Sequence, residues 1–137
     1  MARYLVVAHQ TAESPELRAV LSEVAARDPE AVFTLLVPAT PPSDMLTWTD
    51  GIALVVAQET GDKARARFEA DGLRIDGVLV GDANPVYAAA DAFNQDSWDQ
   101  VIVSTLPVGF SRWLKQDVVS RIEREASVPV THVAATD

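Results

Sequence analysis

Cysteine is absent from the sequence, which excludes disulfides, thiol catalysis, thiol redox sensing and cysteine-based metal sites. Histidine is scarce, with only His9 and His132 present. They fall on distant strands with no acidic residue at ligand spacing, so no metal is expected. Glycine-rich phosphate loops are missing too, since neither G-x-G-x-x-G nor G-x-x-x-x-G-K-[ST] occurs. No G-x-S-x-G surrounds Ser104, Ser111 or Ser120, so none sits in a nucleophile elbow. Basic residues are outnumbered, 11 Lys and Arg against 20 Asp and Glu, which leaves a net charge of −9. Without a local Lys/Arg cluster that field repels a phosphate backbone, and nucleic acid is not an expected partner. No apolar run approaches the ~20 residues that span a bilayer, so no membrane partner is expected either. The apolar stretch from Tyr4 to Ala8 gives way at once to polar residues with no cleavage site. It reads as a first strand and not as a signal peptide, and the expectation is a cytoplasmic protein.

What the sequence does contain is a repeated switch between strand and helix signals. It spans 137 residues, 48% of them hydrophobic, enough for one domain with a real core over residues 1–137. Leu5 to Ala8 is a continuous apolar run, as a strand covered on both faces requires. Ser14-Pro15-Glu16 reads as N-cap, first-turn proline and acid at the positive helix end. Leu17, Val20, Leu21 and Val24 then follow at helical spacing up to Asp28-Pro29. Ala31 to Val37 is the second strand, closed by Pro38. The stretch from Ala39 to Thr49 reads as a surface loop pinned by Met45 and Trp48.

Ile52 to Ala70 is a long helix. Its front half, Ile52 to Ala57, could pass for a strand, but Ala57, Gly61, Ala64 and Phe68 continue a helical stripe in which Gly61 is a weak point. Ile75 to Val80 is the third strand, where Gly77 and Gly81 read as backbone relief or turn positions. Asn84-Pro85 starts a helix whose face is Val86, Ala89, Ala90 and Phe93. Gln100 to Val103 is the fourth strand. The last helix runs from Ser111 to about Ala126 with Leu114, Val118 and Ile122 inward, and Val128 to Val133 is the final strand. Trp98 and Trp113 read as core anchors. Such alternation implies a parallel sheet built from right-handed crossovers, with helices on both faces.

In sheets of this kind ligands sit beyond the carboxyl ends of the strands, where the strand order reverses. For the order 3-2-1-4-5 that crevice lies between strands one and four. His9, Gln10 and Thr11 wall it on one side, and Ser104, Thr105, Gly109, Ser111 and Arg112 on the other. The loop before the last helix also offers free backbone N–H groups at a positive helix end, which suits an anion. His9 reads either as a ligand contact or as a packed residue, and His132 as a packed or edge histidine of the final strand. No catalytic residue is nominated.

The segment from Gly109-Phe110-Ser111-Arg112-Trp113-Leu114 to Val128-Pro129-Val130 carries a family signature. Together with Tyr4 to Ala8, Gly81-Asp82 and Asp99 to Val103, it resembles the landmarks of universal stress proteins, in order along the whole chain. The resemblance implies a three-layer α/β sandwich of the adenine-nucleotide alpha hydrolase-like type. Its five-stranded parallel sheet has the order 3-2-1-4-5 and is packed by four helices. It also implies a homodimer formed through the final strand, Val128 to Val133. Nucleotide-binding members end strand one with an acid that contacts adenine, and follow strand four with G-x-x-G, a nine-residue spacer and G-[ST]. Here the acidic position falls on His9 and the first glycines on Ser104 and Pro107. The last pair falls on Gln116-Asp117 or Asp117-Val118. Proline has no N–H to give a phosphate, and an aspartate beside a triphosphate adds ~1 kcal/mol or more of repulsion.

The favoured reading is therefore a non-catalytic small-ligand-binding or regulatory domain that needs no cofactor and does not hold ATP in the usual family pose. Two alternatives stay open. One is an ATP or AMP binder with a remodelled Ser104–Arg112 loop, in which Ser111 and Arg112 replace the glycine contacts. The other is a small hydrolase or transferase of the related folds, with His9 as acid/base facing Ser104 to Ser111.

Overall fold

The computed structural model describes residues 2–40, 50–107, 113 and 117–135. Strand and helix alternate as β1 (Arg3–Val7), α1 (Pro15–Arg27), β2 (Val32–Pro38), α2 (Asp50–Ala70), β3 (Arg74–Gly81), α3 (Pro85–Gln95), β4 (Gln100–Thr105), α4 (Val118–Glu125) and β5 (Val130–Ala134). The strands form one parallel sheet in the order β3-β2-β1-β4-β5, as the resemblance implies.

Side chains alternate across that sheet and build two cores. Tyr4, Val6, Phe33, Leu35 and Ile102 face α1 and α2, meeting Leu17, Leu21, Ala57 and Phe68. Leu5, Val7, Leu36, Val101 and Val103 face α3 and α4, meeting Val86, Ala89, Ile122 and Trp113. Trp98 packs against this second core and donates its indole N–H to the Ala92 carbonyl at 3.0 Å, an anchor as its sequence context predicts. The Met45–Trp48 stretch lies outside the described residues.

Both expected caps are made. The Ser14 hydroxyl accepts from the Leu17 N–H at 3.2 Å and the Asn84 side chain from the Val86 N–H at 2.9 Å, each followed by proline in the first turn. Such caps are worth ~1 kcal/mol apiece. The ambiguous front half of α2 is helical, because Ala53, Ala57, Gly61, Ala64 and Phe68 all bury against the sheet. Gly72, at φ +87°, ends the helix. The Leu73 N–H returns to Phe68 O and the Gly72 N–H to Glu69 O, a left-handed stop that brings Leu73 back over Phe68.

Three details differ from the sequence reading. The helix expected from Ser111 to Ala126 is interrupted, since Asp117 turns through φ 57° and α4 begins only at Val118. The final strand begins at Val130 rather than Val128. Pro129 has no N–H to add to the ladder, though its carbonyl accepts from Val101 at 3.0 Å. In β3 an extra residue, Asp76, sits between Ile75, paired with Phe33, and Gly77, paired with Thr34. This bulge resets the side-chain alternation, so Ile75, Val78 and Val80 all join the same core.

Glycines mark close approaches. A Cβ on Gly81 would stand 2.7 Å from the Cβ of Ala88, and one on Gly61 2.5 Å from a methyl of Val78. Ala88 has no rotamer by which to yield, whereas Val78 does. Gly81→Ala is expected to lose about 1–3 kcal/mol in denaturant unfolding. Gly61→Ala should lose less, because the gain in helix propensity offsets ~1 kcal/mol of the strain.

Candidate functional site

β1 and β4 are adjacent, but the chain leaves β1 towards α1 on one face and leaves β4 towards α4 on the other. The resulting crevice at their carboxyl ends is the switch point of the sheet. After β1 the chain folds into tight turns, with the Ala12 N–H donating to His9 O at 3.1 Å and the Ser14 N–H to Thr11 O at 3.0 Å. These turns bring the Thr11 hydroxyl to 2.6 Å from the Ser104 hydroxyl at the end of β4, and both residues are buried. The two sides of the crevice are thus joined by one side-chain hydrogen bond. Gln10, next to it, is exposed.

Thr105 is also buried. Its hydroxyl lies 3.0 Å from the Leu106 carbonyl and 2.8 Å from His132 Nε2. The Thr105 hydroxyl has one hydrogen, so it either donates to Leu106 and accepts from His132 Nε2–H or donates to a bare His132 Nε2, according to the tautomer of the ring. His132 was read from the sequence only as a packed or edge residue. Its contact follows from the β4–β5 register, which places Val103 opposite His132 and Ser104 opposite Val133. Burial lowers its pKa from 6.5, with Glu123 opposing.

His9 is half-buried, and its Nδ1 is buried with no hydrogen-bond partner among the described residues. Burial pushes its pKa below 6.5, against a smaller upward pull from its own backbone carbonyl. At neutral pH the crevice therefore presents a neutral imidazole. The Ser104 hydroxyl is paired with Thr11, not with His9. No group of three or more His, Asp or Glu side chains is placed to hold a metal ion among the described residues. Gly109, Ser111 and Arg112 lie outside the described residues. Asp117 lies within them and holds φ 57° with no side-chain cap, a left-handed conformation that glycine adopts without penalty.

These features define a doubly wound α/β sandwich with its crevice at the β1–β4 switch point. Within that class the chain has the fold of universal stress proteins, that of a UspA-like domain. The universal stress protein from Archaeoglobus fulgidus in complex with dAMP is similar over 97% of this chain and 98% of that one, with TM-score 0.65 and 15% identity. A universal stress protein in complex with cAMP is similar over 99% and 100%, with TM-score 0.60 and 21% identity. A universal stress protein family member from Burkholderia pseudomallei covers 96% and 94%, with TM-score 0.60 and 18% identity. No family model matches the sequence, and no curated protein does.

The buried, neutral His9 has a consequence for pH. Its native pKa lies below its unfolded value, so its contribution to stability is fully present above pH 6.5 and is lost as pH falls through the native pKa. Urea unfolding on either side of pH 6.5 should show this loss, and His9→Phe should reduce it, with His132 supplying the remaining slope.

Proposed function

We propose that this chain is a non-catalytic small-ligand-binding or regulatory domain, acting in the cytoplasm as a homodimer, whose crevice does not take ATP in the usual family pose. The observation that carries this reading is His9. A neutral ring whose buried nitrogen has no partner among the described residues stands at the mouth of the crevice, at the position where the family's nucleotide binders carry an acid. An unpaired buried nitrogen is costly unless a ligand group meets it. The Ser104 hydroxyl is paired with Thr11 rather than with His9, which speaks against His9 acting as acid/base on Ser104. Pro107 removes one backbone donor from the loop that would hold phosphates.

A second reading, adenine-nucleotide binding through a remodelled Ser104–Arg112 loop, is favoured by universal stress proteins of the same fold in complex with dAMP and cAMP. Thermal unfolding with ATP, ADP and AMP, with and without Mg²⁺, separates the two. The first reading expects no saturable rise in Tm. A rise that grows with the logarithm of ligand over Kd would establish the second.

Pairing through β5 is supported by the character of that strand. It is a sheet edge whose five residues, Val130 to Ala134, include no Asp, Glu, Lys or Arg. Exposed edges usually carry such charges to prevent pairing. Thr131 is exposed on it, so Thr131→Lys is expected to shift the protein from dimer to monomer in sedimentation analysis while leaving the fold intact.

A further inference from the structure

Gly77 lies inside β3, next to the Asp76 bulge, and no steric clash requires it to be glycine. Its φ is not positive, and an added Cβ would meet no heavy atom within 4 Å, unlike Gly61 and Gly81. A strand glycine of this kind often marks a place where another group approaches the backbone closely. Above it lies a cavity of about 250 Å³. Gly77, Leu79 and Thr34 form its floor, and Ala92 and Gln95 of α3 form a wall. Thr34 is only 6% exposed, and its side chain lines the floor of the cavity. A hydroxyl on a cavity floor can donate to or accept from an occupant.

The charges at the rim are unequal. The Arg3 guanidinium is committed to Asp96, at 2.5 and 2.9 Å, and to the Ser97 carbonyl at 3.0 Å, and it stacks over Trp98 at 4.7 Å. Asp96 is thereby neutralised. Asp76 has only a long contact with Arg3, 3.8 Å, and its side chain is 59% exposed. Two carboxylates against one guanidinium leave one negative charge unbalanced at the cavity.

From this geometry we propose a second small-molecule site, at the opposite end of the sheet from the crevice, that takes an organic cation with a flat apolar body, of the arylalkylamine type. The ring lies on Gly77 and Leu79, the ammonium pairs with Asp76, and a polar substituent meets Thr34 or Gln95. The site is independent of the β1–β4 crevice.

Titration of the full chain with tyramine, followed by ¹H–¹⁵N NMR, tests the proposal. Saturable shifts are expected at the amides of Thr34, Gly77 and Gln95 and at the Trp98 indole, with Thr11 and Ser104 unmoved. The carboxylate analogue 4-hydroxyphenylacetate should cause none. Asp76→Asn should weaken tyramine at least about tenfold, the scale of a lost charge-assisted hydrogen bond. Gly77→Val, whose side chain enters open space, should abolish binding while preserving the spectrum elsewhere. Absence of saturable shifts, equal binding of the carboxylate, or wild-type affinity in a folded Gly77→Val would each overturn the proposal. If Gly77→Val does not fold, undiminished affinity in Asp76→Asn overturns it alone.

Discussion

β1 must give both its faces and both its edges to protein. Leu5, Val6, Val7 and Ala8 are fully buried, so the backbone groups of this segment have no water to turn to. β2 supplies partners along one edge and β4 along the other. An unpaired amide in that position would cost ~1–3 kcal/mol. Parallel neighbours on both sides require crossover connections, and a strand buried on both faces requires helices above and below. The apolar run in the sequence, the two cores and the parting of the chain at the carboxyl ends of β1 and β4 are consequences of this one strand. The candidate crevice therefore exists for topological reasons, before any ligand-binding residue is considered.

The amino end of the same strand is fastened differently. The Arg3 N–H donates to Asp99 Oδ2 at 2.7 Å and the Asp99 N–H returns to the Arg3 carbonyl at 2.8 Å, joining the entry to β1 with the entry to β4. The Arg3 side chain holds the Asp96 carboxyl down to about 2, with the Ser97 N–H assisting, so this pair stays charged through the ordinary pH range. These groups are solvent-exposed, so they contribute more to register than to stability. They also close one end of the cavity over Gly77, which gives a surface ion pair a part in shaping a site.

The fold was legible because its signals are local. Uninterrupted apolar runs announced β1, β2 and β4, and the Ser14-Pro15 and Asn84-Pro85 pairs announced their helices. Features that depend on distant partners were harder to see. Thr11 and Ser104 were each placed at the crevice, but a hydrogen bond across 93 residues of sequence has no local signature. His132 looked unremarkable because its partner, Thr105, is reached only through strand pairing. The break at Asp117 was hidden by Leu114, Val118 and Ile122, whose helical spacing continues across it. The Asp76 bulge was hidden because one extra polar residue leaves the composition of a strand unchanged. Gly61 read as a weak point on propensity alone, whereas its lack of a side chain lets α2 lie against β3.

The Asp76 bulge has a further consequence for the two ends of the sheet. β3 carries a kinked backbone with Arg74 and Asp76 exposed beside it, while β5 is short and uncharged. A sheet can lengthen without limit only if each newcomer leaves a fresh template behind it. Under the proposed pairing through β5, every chain would offer one usable template and one terminator. Edge-to-edge growth would then stop after a single addition, giving a closed pair rather than a filament.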